Sequence, residues 1–216
     1  MIINNAIQFR HIPRTGGRFL YNLFLKNNQK CVDHNFDMSF NNVEIPHLNA
    51  LQTNCFYLKM FDNFTVVRNP LDRFISCLAT SNTVDKKLIK KMFENKTNFF
   101  TTVNKLRQQS ITNNWFESQI NFIEHNTKIW KFENGFGKEF FKFIDENFAI
   151  KLDMTKDYSA EKFKDRYINR NIIQLNEEQK GYVKNYYFLD YKILNYGLFK
   201  CKHTCGVRTN KERISI

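Results

Sequence analysis

Residues 7 to 20, Ile7-Gln8-Phe9-Arg10-His11-Ile12-Pro13-Arg14-Thr15-Gly16-Gly17-Arg18-Phe19-Leu20, constrain this chain more than any other stretch. They read as a short strand, a Gly-Gly turn carrying a cation and a hydroxyl, and then a helix. That layout suits phosphate. Two adjacent glycines let the backbone pass close to an anion, and the first turn of the following helix offers N–H groups and the positive end of its dipole. Arg14 adds a charge and Thr15 a hydroxyl donor, so a phosphorylated ligand is expected.

The segment has neither the leading glycine nor the Lys-Ser/Thr pair of the Walker loop, GxxxxGK[ST], which disfavours ordinary ATP or GTP hydrolysis. A second stretch, Phe64-Thr65-Val66-Val67-Arg68-Asn69-Pro70-Leu71-Asp72-Arg73-Phe74-Ile75-Ser76, also reads as a strand running into a helix. Arg68 is expected at the exit of a buried strand. Pro70 falls in the first helical turn, where its missing N–H costs nothing, and Ser76 lies two turns along, near enough to share one anion with Arg68.

Ile12-Pro13-Arg14-Thr15-Gly16-Gly17 resembles the IPKTGGT signature of carbohydrate sulfotransferases of the heparan sulfate 2-O-sulfotransferase type. The second stretch resembles that family's VRDPxxRfxS motif. The resemblance extends to Lys128-Ile129-Trp130-Lys131-Phe132-Glu133-Asn134, similar to a late LRYEDL strand. It reaches Tyr187-Phe188-Leu189-Asp190-Tyr191-Lys192-Ile193-Leu194-Asn195-Tyr196, similar to the terminal YxxDxxxfxY segment.

The resemblance implies a sulfotransferase that moves the sulfuryl group of 3′-phosphoadenosine 5′-phosphosulfate (PAPS) to a hydroxyl, with a carbohydrate as the expected acceptor. Pro13, Arg14, Thr15, Gly16, Gly17 and Arg18 would hold the 5′-phosphosulfate, and Arg68 and Ser76 the 3′-phosphate. No metal is required for such a transfer. Arg14 stands where the family usually has Lys; it keeps the charge but cannot serve as a proton donor near neutral pH. Asn69 replaces the usual Asp without removing a phosphate ligand.

Transfer to an alcohol needs a base for its proton. Of His11, His34, His47, His125 and His203, we select His47. It lies 21 residues before Arg68, about where the resembled enzymes carry their catalytic His. The competing reading is a loop imidazole after Pro46 that caps the next helix. His34 is the runner-up, and His11 is read as packed or bonded to backbone. Asp72 and Arg73 are read as ion-pairing residues of the helix. Trp115 and Gln119 could line an acceptor cleft, although aromatic residues at such spacing are more often core.

With 216 residues and 42% hydrophobic content, the chain can bury one sizeable core. The expected architecture is α/β, a P-loop-like parallel sheet flanked on both faces by helices, as one sulfotransferase domain over 1–200 with a tail over 201–216. Strands are expected at 6–11, 30–34, 63–68 and 127–132. Helices are expected at 17–27, 70–80, 85–94, 99–109, 112–125, 135–147 and 176–190, with an irregular segment up to about 55. The 23 Phe residues predict an aromatic interior, and the scarcity of Gly (7) and Pro (3) predicts turns built on Asn. Residues 151–174 are read as a charged surface loop whose Lys162, Lys164 and Arg166 are candidates for the cofactor's phosphates.

The net charge of +12 favours anionic partners without choosing among them. Its even spread, with no nucleic-acid-binding motif, points away from nucleic acid. The resemblance implies a doubly phosphorylated cofactor and an anionic or neutral glycan acceptor, and a positive field suits the anionic ones. Two competing functions are carried forward: an atypical kinase with Asp62 as the Mg²⁺ carboxylate, and a basic nucleic-acid-binding module. No basic n-region with a long apolar run occurs and no membrane span is read, so a cytoplasmic location is expected, or the Golgi lumen if an anchor was trimmed. Five cysteines, an odd number, fit free thiols in a reducing compartment; Cys201 and Cys205 flank His203 but lack a second ligand cluster.

Overall fold

A computed structural model describes residues 1–32, 39–40, 43–54, 61–79, 86–108, 114–153 and 173–197. The strands are β1 (Ile2–Ile3), β2 (Ile7–Arg10), β3 (Cys31–Val32), β4 (Ser39–Phe40), β5 (Val43–Glu44), β6 (Asp62–Val67) and β7 (Lys128–Lys131). The α-helices are α1 (Gly17–Lys26), α2 (Ala50–Asn54), α3 (Pro70–Leu78), α4 (Lys86–Met92), α5 (Lys96–Gln108), α6 (Lys138–Phe148), α7 (Glu177–Tyr186) and α8 (Phe188–Ile193), with 3₁₀ turns at Ile45–His47, Gln119–Phe122 and Phe132–Asn134.

Five strands form one sheet in the order β3-β1-β2-β6-β7, while β4 and β5 make a separate ribbon. β2, β6 and β7 run parallel, as expected, but β1 is antiparallel to both β2 and β3, so the sheet is mixed. The cause is the length of the first connection. Only Asn4, Asn5 and Ala6 separate β1 from β2, and so short a link can reverse a strand but cannot make the crossover that a parallel pair needs. Asn4 and Asn5 take the left-handed φ of 53° and 56° at that reversal, and Asn28, Asn114 and Asn195 do so at other turns, the use foreseen for asparagine here.

Alternation along β2 and β6 sends Ile7, Phe9, Phe64 and Val66 into one apolar layer with Leu20, Leu23 and Phe24 of α1 and Phe140 and Ile144 of α6. The opposite faces of the same strands are polar and buried. Arg10 pairs with Glu124 at 2.7 Å, Thr65 Oγ1 donates to the Arg10 carbonyl at 2.7 Å, and Asn63 Nδ2 donates to Asn126 at 3.2 Å. A second apolar layer gathers Val67, Phe74 and Leu78 beside the strand end with Phe99 and Val103 of α5, Val183 of α7 and Tyr187. Phe supplies most of the largest fully buried side chains, so the interior is aromatic as composition predicted.

Two expected elements change. Residues 114–125, expected as helix, form a turn at Asn114, whose φ is 64°, and the 3₁₀ turn Gln119–Phe122 after an extended Ser118. Their apolar side chains reach the core from a bent segment instead of from one helical face. The stretch read as irregular up to 55 contains β4, β5, a 3₁₀ turn and α2. His34, Cys55, Lys162, Lys164, Arg166, Cys201, His203, Cys205 and the tail over 201–216 lie outside the described residues.

Candidate functional site

The ends of β2 and β6 and the starts of α1 and α3 meet at one end of the sheet, forming a corner between neighbouring strand exits, because β2 and β6 are adjacent and parallel and each feeds a helix. Arg14 occupies the left-handed region at φ 71°, at a cost of roughly 1 to 3 kcal/mol for a non-glycine residue. In that conformation its Nε donates to Ser76 Oγ at 3.2 Å, across 62 residues of sequence. Arg68, the first residue past β6, directs Nη1 at the Arg14 carbonyl at 3.4 Å and stacks its guanidinium 4.7 Å from the Phe132 ring centroid. The structure therefore brings Arg14, Arg68 and Ser76 together, with Arg14 and not Arg68 in contact with Ser76.

The loop glycines are explained by the protein's own rings. Gly16 has φ 97°, and a Cβ there would stand 3.0 Å from Phe136 and 3.4 Å from Phe132. At Gly17 a Cβ would fall 2.1 Å from His11 Nε2. The close approach inferred from Gly-Gly is thus made by Phe136 and His11, whereas the sequence reading assigned that space to the anion. The Thr15 hydroxyl, expected as a ligand donor, is fully buried and donates to the Ile12 carbonyl at 2.7 Å, which closes the loop. Pro13 is buried in the same loop, and Arg18 sits half-buried in the first turn of α1. No side chain caps α1, and its first turn has no acidic residue to offset the positive end of its dipole.

α3 starts as its sequence foretells. Asn69 caps it, accepting from Leu71 N at 3.0 Å and Asp72 N at 3.4 Å, and Pro70 takes the first helical position. Asn69 thus has a structural use as a helix cap. Arg73 does not pair with Asp72; it is buried, donates to the carbonyls of Trp115 and Glu117, and lies 5.6 Å from the Tyr187 ring centroid. Burial pushes the Cys77 thiol up, against the pull of Arg73, Arg14 and Arg68, three cations around one turn of α3.

Of the two readings open for Gln119, cleft lining and core, the structure has core: it is fully buried and clamps Arg68, its Oε1 accepting from Arg68 N at 2.9 Å and its Nε2 donating to Arg68 O at 2.8 Å. Asp190, also fully buried, holds that clamp by accepting from Ser118 Oγ, from Gln119 N at 2.9 Å and from Ile120 N at 3.2 Å. Glu133 accepts from Asn69 N at 2.6 Å and from the Tyr196 hydroxyl at 2.8 Å. Hydrogen bonds hold two residues of the later motifs, Glu133 and Asp190, on the frame of the corner. No pattern in the sequence marks Gln119, because its role depends on where the bent segment lies in space.

His47 ends the 3₁₀ turn Ile45–His47 and is buried, with 4% of its surface exposed. Its ring centroid lies 4.8 Å from that of His11 and 6.2 Å from that of Trp115, and its carbonyl accepts from Asn114 Nδ2 at 2.9 Å. His47 touches His11, and His11 touches Gly17, so the imidazole adjoins the corner through one intervening ring. The helix cap assigned to it under the competing reading is supplied by Asn49, whose side chain accepts from Gln52 N at 3.0 Å.

Asp62 opens β6 opposite Ile7, the first residue of β2. It is therefore at the other end of the strand from Arg68, roughly 20 Å away at about 3.3 Å per residue. Of the cysteines, Cys31 and Cys77 are described and both are free thiols. Among the described residues, no helix is long and apolar enough to cross a membrane. Comparisons with family models, with curated proteins and with solved structures find no match for this chain.

Proposed function

We propose that this chain is a sulfotransferase that uses PAPS to sulfate a hydroxyl of a carbohydrate, with a P-loop-like arrangement at the corner between the exits of β2 and β6. The observation that carries the reading is the 3.2 Å contact between Arg14 and Ser76, with Arg68 beside it, at the N-terminus of α1. The donor set fits the cofactor: two guanidinium groups, a hydroxyl and the N-terminal turn of a helix suit a nucleotide with phosphate at two positions. When bound, PAPS supplies the sulfuryl group. Arg14 and the first turn of α1 would hold the 5′ side and offset the charge that develops there, while Arg68 and Ser76 would hold the 3′-phosphate. His47 would accept the proton of the attacking hydroxyl.

The kinase alternative asks Asp62 to hold Mg²⁺ beside the phosphates, and its place at the far end of β6 counts against that. The nucleic-acid alternative rests on net charge alone.

The test compares thermal stabilisation by 3′,5′-ADP, by ATP with Mg²⁺ and by an oligonucleotide; a ligand at 100 times its Kd adds about 2.7 kcal/mol. The expected winner is 3′,5′-ADP. In Arg68→Ala, binding of 3′,5′-ADP should weaken by about 1.5 to 3 kcal/mol while 5′-AMP is much less affected, since only the former carries a 3′-phosphate. Equal losses for both nucleotides in calorimetry would remove that role, and stabilisation by Mg-ATP alone would replace the reading with the kinase.

A further inference from the structure

The 3₁₀ turn that gives Gln119 to Arg68 presents its neighbours Ser118, Ile120 and Asn121 to a cavity of about 510 Å³, a volume typical of small-ligand sites. One wall is aromatic. Phe100 and Tyr186 pack at 5.5 Å between centroids, and Phe188, 46% exposed, extends the wall to the rim. The rest of the lining mixes polar and apolar groups: Asn121 and Asn185 are exposed there beside Ser118 and Asn104, and Ile120 and the 52% exposed Leu189 stand among them.

At the base lies an ion pair built into the fold. Arg107 Nε donates to Glu117 Oε2 at 3.0 Å, Nη2 donates to the same oxygen, and Nη1 donates to the Tyr186 hydroxyl at 3.1 Å. These bonds leave one N–H on each terminal nitrogen, and the side chain is 37% exposed. In a chain of net charge +12, this lining carries, among the described residues, one cation balanced by one carboxylate. A charge-balanced site does not select phosphate, sulfate or nucleic acid. Aromatic faces suit the C–H face of a pyranose, and amides with a fixed guanidinium match hydroxyls that both donate and accept.

We infer that this cavity binds a neutral stretch of oligosaccharide. The inference stands apart from the transferase reading; if both hold, the cavity takes the part of the acceptor away from the reacting hydroxyl.

The experiment is capture of the full chain on a printed array of neutral hexose and N-acetylhexosamine oligosaccharides, with sulfated and sialylated members beside them. The expected result is retention on neutral members that falls about fivefold or more in Phe188→Ala combined with Asn185→Ala. Both side chains are exposed, so the thermal midpoint and the stabilisation by 3′,5′-ADP should stay as in the unaltered chain. Capture of no neutral member overturns the inference. So does equal capture by the double variant, or capture of sulfated members alone, which would point to the arginine corner. Failure of 3′,5′-ADP to bind would count against the transferase and leave the saccharide result to be read on its own.

Discussion

His11 lies between the two parts of the candidate site, its ring 4.8 Å from His47 and its Nε2 2.1 Å from where a Cβ on Gly17 would stand. A methyl group cannot enter that space without moving the ring. Gly17→Ala should therefore destabilise the chain by roughly 1 to 3 kcal/mol, the usual range for overpacking. His11→Ala removes the obstacle, so the double variant should be more stable than the sum of the single losses predicts, by about 0.5 kcal/mol or more. Urea unfolding of the four proteins measures this, and additivity would show that the ring does not set the residue at 17. His47 calls for a different readout. An alcohol is a weak nucleophile until its proton is accepted, and a positioned base contributes about 10²- to 10⁴-fold. His47→Ala should lower kcat by that order while 3′,5′-ADP still stabilises the protein, because Arg14, Arg68 and Ser76 are untouched. A variant with normal turnover, or one that no longer binds 3′,5′-ADP, would deny His47 the role of base.

Between elements, the deciding contact is the one that Asp190 makes from α8 to the bent segment before β7. Its carboxylate accepts from Ser118 and from the N–H groups of Gln119 and Ile120, and Gln119 in turn clamps both backbone polar groups of Arg68. Asp190→Asn removes the charge from these bonds and turns one acceptor atom into a donor facing N–H groups, which should cost about 1.5 to 3 kcal/mol of stability. It should also weaken 3′,5′-ADP while sparing 5′-AMP, although Asp190 is placed in contact with neither. Rescue of that affinity difference would not be expected from a variant that merely restores stability elsewhere. This relay was hidden in the sequence, whereas β2, β6, β7, α1, α3 and α6 were legible, because those elements carry their own signals: apolar runs, helical spacing, and Asn69-Pro70 at a helix start. Arg14, Arg68 and Ser76 were legible for the same reason, each at a fixed offset from such a boundary. β3 lies within the strand expected at 30–34, but β1, with two residues, is too short to show a period, and the mixed sheet follows from it. The apolar residues of 114–125 fit a helix well, but Asn114 and the pull of Asp190 give that segment a bend that only tertiary contacts specify.

Across the whole molecule, burial of thiols and phenols fixes how stability depends on pH. Burial pushes the Cys31 thiol up to about 11, slightly offset by the nearby N-terminus, and raises Cys77 as well. Burial likewise pushes the Tyr191 phenol up to about 12 and holds Tyr187, whose hydroxyl donates to the Phe116 carbonyl at 2.7 Å, well above its usual range. In the unfolded chain these groups ionise near their ordinary values, 9.0 for Cys and 10.0 for Tyr. The folded state then binds more protons than the unfolded state at alkaline pH, so the slope of stability against pH is negative there. Their contribution is fully present below about pH 8.5 and is lost progressively as pH rises toward 11 and 12. The urea midpoint should accordingly be level between pH 7 and 8.5 and fall steadily to pH 11. Cys31→Ser, which removes a partly exposed thiol at little cost in packing, should flatten the first part of that fall, between pH 9 and 11. A midpoint that holds or rises over this interval would mean that the buried thiols and phenols ionise in the folded chain about as readily as in the unfolded one, and that the aromatic core is open enough to hydrate them.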